Sequence, residues 1–535
     1  FLLAHPFRSV PGYAFQHTLQ QETIYQALIR RDRSKIHTQI AQAIECSPLW
    51  LPEEQAEVLA YHYSEITFPV KAVPYLITAG ENAAGRCAYE TAIKHFRRAI
   101  RILPPQPAQN PEPFFRARLG LGNALKFVGE LTDAGKILTE TLHNLWYSAL
   151  AVQPGSVQTI LVESLRQMAD VRQREGSYEA ALRYLDVGIQ LLGDAATQPD
   201  SAVHRALLDR IAWIHFRKGQ LDIALAVALS TTEAVPVETA ADPITLASLY
   251  NTLGGIAWQQ GRLEQAIDNV RLSMQLYDQV GYMWGVAIAY GNLGILSYQR
   301  GNWSEAVHYY EQAQAIHQTI GNPEGQAINF DNLGLLSLAM GDYPRAQQEL
   351  ETALTIRQRL GDSWGTAQTE LNLAQLALAQ ARFAKAGRHT DLALALAGAI
   401  GSSEIQVEGH WVKALIRADN NRLPEALQAA ETALAEARQA GLSQKEPDCL
   451  RVLGSLQRRS GQFETAEPLL QEALKLSQAR CDPYQQGQIW LELGRLYRAQ
   501  TKNEATVAFE TAAGLFERLG AKQQLQQAHA ALAQM

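Results

Sequence analysis

From residue 245 onward, apolar residues return every three or four positions in long runs, and short polar breaks separate the runs. Residues 286–299, VAIAYGNLGILSYQ, carry that spacing, which winds the apolar side chains onto one face of a helix. Gly301-Asn302 interrupts the run, and WSEAVHYYEQAQAIHQTI then opens a second amphipathic segment. The pattern predicts a pair of helices joined by a tight turn. Asn302 and its counterpart Asp342 stand where an N-cap is needed, because a side-chain oxygen there accepts an orphan backbone N–H. Gly281, Gly321, Gly361, Gly401 and Gly441 stand at the ends of successive second helices, where a left-handed residue satisfies the last carbonyls.

The unit then repeats. NLGILSYQRGNWSEA at 292–306 returns as NLGLLSLAMGDYPRA at 332–346. Gly254, Gly294, Gly334, Ala374, Ala414, Gly454 and Gly494 lie forty residues apart, and each is small. A second small series runs from Ala266 through Ala306 to Ala466, and a third from Ser273 through Ala313 to Ala513. A period of this size marks a solenoid of stacked supersecondary units. Glycine inside a helix costs about 1 kcal/mol relative to alanine. Its return at Gly294 therefore implies close approach of a second helix, with Trp303 and Tyr310 filling the larger gaps.

Gly294, Gly301, Trp303, Ala306, Tyr310 and Ala313 together resemble the signature of the tetratricopeptide repeat. The forty-residue period is similar to the longer variety found in LGN-type scaffolds and bacterial signalling proteins. The resemblance implies an all-α fold: a right-handed superhelical solenoid of about eleven helical hairpins. It also implies a concave groove that takes a protein or peptide ligand. In that family the position of Asn292, Asn332 and Asn372 faces the groove, where an amide offers both a donor and an acceptor to an extended backbone. Ile288, Ile295, Ile328 and Leu335 would flank this ladder with apolar surface.

The repeat loosens upstream. Turn glycines Gly129, Gly176 and Gly219 precede Gly261 at spacings of 47, 43 and 42, and LPPQPAQNPEP at 103–113 is a proline-rich connector that cannot be helical throughout. Later turns replace glycine with Ala381, Asn421 and Thr501. The expected organisation is an irregular array over 51–245, regular repeats over 246–520 and a polar-faced capping helix over 521–535.

Residues 1–50 do not fit the repeat. Phe15, His17, Leu19, Tyr25, His37 and Ala41, followed by Leu59-Ala60-Tyr61-His62-Tyr63, are similar to the segment after the ATPase core of bacterial STAND-type signalling ATPases. That resemblance implies a winged-helix remnant, an upstream nucleotide-binding domain, and a role for His17 against the phosphates of bound ADP. The opening Phe1-Leu2-Leu3-Ala4-His5-Pro6 reads as the middle of a longer protein. Within this sequence no GxxxxGK[ST] phosphate loop occurs.

Composition narrows the function classes. The formal net charge of −7 argues against nucleic acid bound by bulk electrostatics. No apolar run reaches the roughly eighteen residues that a membrane helix needs. Cys46, Cys87, Cys449 and Cys481 form no CxxC and suit a reducing cytoplasm, so no metal or cofactor is expected. HExxH is absent, the GxSxG string Gly361-Asp362-Ser363-Trp364-Gly365 falls in the break between two repeat units rather than after a strand, and Gly120-Leu121-Gly122 fails as a dinucleotide fingerprint at Leu125, so a catalytic role is not indicated. Arg451, Arg458, Arg459, Arg495 and Arg498 form a basic candidate for an acidic peptide or phosphate, with Glu464, Glu467 and Glu492 near in sequence. The sequence reads as a ligand-sensing arm that regulates a STAND-type ATPase. A constitutive scaffold, or the sensor arm of a MalT-type transcription regulator, is the alternative.

Overall fold

The computed structural model describes residues 2–7, 10–15, 18–47, 51, 54–66, 69–86, 88–104, 111–149, 156–193, 202–233 and 242–535. Residues 105–110 of the proline-rich connector lie outside that set. The chain divides into two compact units, Phe1–Leu191 and Leu192–Met535.

The first unit opens with an antiparallel pair, Leu2–Phe7 and Val10–Phe15, in which Leu2 stands opposite Phe15 and Phe7 opposite Val10. These strands precede the solenoid and take no part in its repeats. Helices Thr18–Ala27, Arg30–Glu45 and Ala56–Ser64 follow. Three helical hairpins complete the unit: Ala72–Gly85 with Tyr89–Ile102, Glu112–Phe127 with Leu131–Ala149, and Ser156–Arg174 with Tyr178–Leu192. Leu59, Leu76, Phe96, Leu121, Leu138 and Met168 run through them as one core. Gly122 packs here: a Cβ on it would lie 2.8 Å from Leu138, so its glycine serves close helix contact.

The second unit holds eight more hairpins, which brings the described residues to the eleven expected. The pair Ala202–Arg217 and Leu221–Glu233 comes first. The forty-residue hairpins then begin with Pro243–Gln259/Leu263–Gln279, Met283–Arg300/Trp303–Thr319 and Pro323–Met340/Tyr343–Leu360. They continue with Ser363–Ala379/Phe383–Ile400, Ser403–Asp419/Leu423–Gln439, Glu446–Arg459/Phe463–Ala479 and Pro483–Ala499/Glu504–Leu519. Helix Lys522–Leu532 closes the array, with Ala528 and Ala531 buried against the cluster of Phe509 and Phe516. The all-α superhelical solenoid is the observed fold.

One contact explains the forty-residue glycine series. The space a Cβ would need at Gly294 is filled by the ring of Tyr310, and at Gly334 and Gly454 by Leu350 and Leu470. The small residue on the first helix lets a large one on the second lie directly over the backbone. The caps divide. Asp342 accepts the Arg345 N–H at 3.2 Å as expected, whereas Asn302 makes no cap bond and donates instead to Glu305 at 3.4 Å. The five second-helix glycines hold φ between 66° and 69°. Where the turn between helices loses glycine, Ala381, Asn421 and Thr501 keep the left-handed conformation at φ 56°, 59° and 57°.

His317, buried at the end of its helix, packs its ring where a Cβ on Gly325 would sit and faces the Asn322 amide at 3.1 Å. Burial pushes its pKa down from 6.5 to about 4. The neutral ring is therefore native, and its contribution is complete above pH 6.5 and lost as pH falls toward 4. Thermal melts should show a loss of up to about 3 kcal/mol across that window, which His317→Gln should flatten. Packing gives a second expectation. Gly294→Ala should lower stability in urea by about 1–3 kcal/mol despite alanine's better helix propensity, because Tyr310 must move. Ala381→Gly should raise it by about 1 kcal/mol by relieving the left-handed strain.

Candidate functional site

The three asparagines expected to form a ladder have three different fates. Asn292 is half-buried, and its Nδ2 donates to Asn251 Oδ1 at 2.7 Å. Asn372 is only 1% exposed and turns its Nδ2 toward Asp331 Oδ1 at 3.4 Å, so it offers no amide to a ligand here. Asn332 is half-buried, and no side-chain hydrogen bond engages it among the described residues. Of the three, Asn332 alone has a side-chain amide without a hydrogen bond among the described residues. Ile328, 46% exposed, lies one turn before Asn332, and the partly buried Leu335 one turn after, so the three share a face of helix Pro323–Met340. Ile288 and Ile295, both partly buried, bracket Asn292 in the same way on helix Met283–Arg300.

Asn372 is closed because the first helices carry a column of buried polar links that sequence reasoning missed. Asp331 pairs with Arg357 at 2.6 Å, both side chains being 6% exposed, and accepts from Thr369 Oγ1 at 2.9 Å. Arg357 also meets Asp362 at 2.9 Å. One hairpin on, Glu370 meets His389 at 2.5 Å. Glu408 then accepts from Gln375 at 2.7 Å and from Lys445 at 2.8 Å. Asp448 accepts from Gln485 at 3.0 Å. Each cross-hairpin bond joins one first helix to the segment that begins the next. The visible signal was an acidic residue within each of five successive first helices, at 331, 370, 408, 448 and 492.

The basic candidates are brought near one another but are already engaged. Arg458 bonds Glu492 at 3.2 Å, and Arg495 bonds the same carboxylate. Burial alone would raise the pKa of Glu492, but Arg495 and Arg458 outweigh it and hold the carboxylate below its ordinary value, so it stays ionised. Arg451 pairs with Asp448 at 3.0 Å and Arg459 with Asp419 at 3.2 Å. Arg498 donates to Gln534 at 3.2 Å and lies over the Phe509 ring. Four of the five guanidinium groups have a carboxylate partner, which an incoming anion would have to displace. His17 lies outside the described residues.

Among the described residues no group of three or more His, Cys, Asp or Glu is placed to hold a metal ion. No helix among them is long and apolar enough to cross a membrane. One cavity of about 320 Å³, lined by Leu225, Leu229, Tyr250, Leu253, Arg262 and Asn269 among others, opens between hairpins at the start of the second unit.

Models of the tetratricopeptide repeat match residues 245–319, 326–398 and 451–524, so the hairpins over those spans are tetratricopeptide repeats. Among solved structures, a Rap protein complexed with Competence and Sporulation Factor superposes with a TM-score of 0.52 at 12% identity. The match covers 69% of this chain and 98% of that one, and at this identity it speaks for the fold alone. An uncharacterized protein of Rhizobium meliloti (strain 1021) is 33% identical over 94 residues, which are 17% of this chain. The matched stretch spans only 9% of that relative's length.

The buried Asp331–Arg357 pair generates a stability prediction. Asp331→Ala leaves the buried Arg357 guanidinium with only the partly exposed Asp362 as a carboxylate partner and should cost about 3 kcal/mol in chemical denaturation. The double replacement Asp331→Leu with Arg357→Met should recover most of that loss, since it removes both charges together.

Proposed function

We propose that this chain is a protein-recognition arm whose tetratricopeptide repeats bind an extended peptide or protein segment across the first helices of the hairpins at 283–360. The observation that carries this reading is the free amide of Asn332 between the exposed Ile328 and the partly buried Leu335. A side-chain amide, donor and acceptor at once and flanked by apolar surface, suits an extended chain, which presents an N–H and a C=O beside alternating side chains. The Rap protein of the same fold is complexed with Competence and Sporulation Factor, which supports a solenoid that carries a ligand.

In the finer form of this proposal, residues 1–50 are the end of a winged-helix domain, and a STAND-type nucleotide domain precedes them. The strand pair and short helices before the first hairpin support that division. The ligand then acts by preferring one of two arrangements of the arm, since equal affinity for both would shift nothing. His17 would report the nucleotide state in the longer protein.

Peptides selected against the chain from a displayed random library test the site. Their affinity should fall about tenfold or more in Asn332→Ala and in Ile328→Asp, a change of about 1.4 kcal/mol or more. The exposed Arg359→Ala should leave it unchanged. Selected peptides that keep full affinity in both groove variants would remove this site from consideration. In a longer protein with its nucleotide domain, an affinity independent of ADP or ATP would convert the sensor reading into a plain scaffold.

A further inference from the structure

The repeats of the second unit do more than stack on their sequence neighbours. Gln299, at the end of helix Met283–Arg300, donates from Nε2 to the carbonyl of Arg480 at 2.5 Å, across 181 residues of sequence. Its Oε1 accepts from Trp258 Nε1, and the Arg480 guanidinium lies 6.0 Å from the centroid of that Trp258 ring. Trp303 meets Tyr484 edge to face at 5.4 Å. Tyr484 in turn accepts from Gln524 at 2.9 Å and packs on Phe516. One full coil of the solenoid, between four and five repeats long, has come round to touch itself.

The turn glycines record this contact. A Cβ on Gly261 would lie 2.9 Å from the Ala479 carbonyl oxygen, and one on Gly301 would lie 2.8 Å from Leu519 and 2.9 Å from Pro483. A Cβ on Gly341 would lie 3.7 Å from the Gln523 backbone and side chain, an ordinary contact. These are the three turns on which the later coil rests. The next turns hold Ala381 and Asn421, and the last holds Thr501, each in the same left-handed conformation. Gly461 keeps glycine with nothing within 4 Å. Beyond conformation, the returning coil occupies the space a Cβ would need at Gly261, through the Ala479 carbonyl, and at Gly301, through the Leu519 and Pro483 side chains, whereas at Gly341 a Cβ would make only an ordinary contact.

We infer that residues 258–303 and 479–523 form a clasp between successive coils, and that the solenoid has a second, open arrangement in which the clasp parts while every hairpin stays folded. The difference in scale between the two kinds of contact supports this. Each hairpin is joined to the next by full helix faces, as the core of Trp411, Val412, Leu450, Leu453, Leu470 and Leu493 illustrates. The clasp joins coils over a smaller area, through Gln299, Trp303 and the turns at Gly261 and Gly301, with Trp303, Phe516 and Leu519 in one buried apolar cluster. Solenoids change pitch by small rotations at each repeat, so several intervening joints share the displacement and none loses its core. Contacts of this limited extent belong to the low-stability end of local opening. The inference stands independently of the peptide site, because it concerns only how the coils meet.

Hydrogen exchange and small-angle X-ray scattering on the whole chain test the clasp. Gln299→Leu combined with Tyr484→Ala should speed amide exchange at residues 479–484 and 299–303 at least tenfold. It should also increase the maximum dimension, while helical circular dichroism is unchanged. Gln299→Asn cannot reach both Trp258 and Arg480 yet keeps the amide, so it should fold normally and speed the same amides at least threefold. Parent-like exchange and dimensions in the double variant would overturn the clasp. Equal acceleration in the hairpin cores, at Leu293 and Leu296 for example, would overturn the second arrangement, because opening would then be general unfolding. Gln299→Asn separates these outcomes even if the double variant fails to fold.

Discussion

The regular half of this protein depends on one steric constraint: the second helix of a hairpin lies so close to the first that the residue beneath it must be very small. Tyr310 over Gly294 and Leu350 over Gly334 are two instances of the same contact. Glycine is a poor helix residue, and the apolar area gained by seating a large side chain directly on the backbone offsets that cost. Because the constraint recurs at a constant interval, every hairpin has nearly the same shape and stacks on its neighbour by nearly the same rotation. Curvature, coil length and the meeting of coils near Gly301 all follow from that uniformity.

Within this frame the first helices carry two kinds of polar residue. Buried ones, such as Asp331 and Glu408, are satisfied by partners that mostly come from an adjacent hairpin. A buried charge without such a partner would be severely unfavourable, so these links tie register between repeats more than they add net stability. Partly exposed ones, such as Asn332, have no such duty. Recognition by a solenoid requires that second kind, because a side chain already committed to the interior has nothing left to offer a ligand.

The fold was legible in the sequence at the level of helices, turns and period. Gly294, Gly301 and Ala306 announce their packing roles because repetition exposes them. The candidate site was less legible. Asn292, Asn332 and Asn372 occupy one register position and look equivalent along the chain, yet Asn251 takes up one amide and Asp331 another. Their partners lie 41 residues away, at an offset that a forty-residue register comparison does not align. The arginines of the last repeats were misleading for a similar reason: their carboxylates come from as near as three residues and as far as forty.

What the sequence determined by itself is the repeating unit, since helix formation, turn conformation and the small-residue contact act within about forty residues and leave a periodic trace. What the tertiary structure alone decided is which copies of that unit are used for what. Coil closure brings Gln299 to Arg480 and leaves Ala381 in its turn exposed, although both belong to the same motif. That distinction arises from the accumulated rotation of many nearly identical joints, a quantity that no single repeat contains.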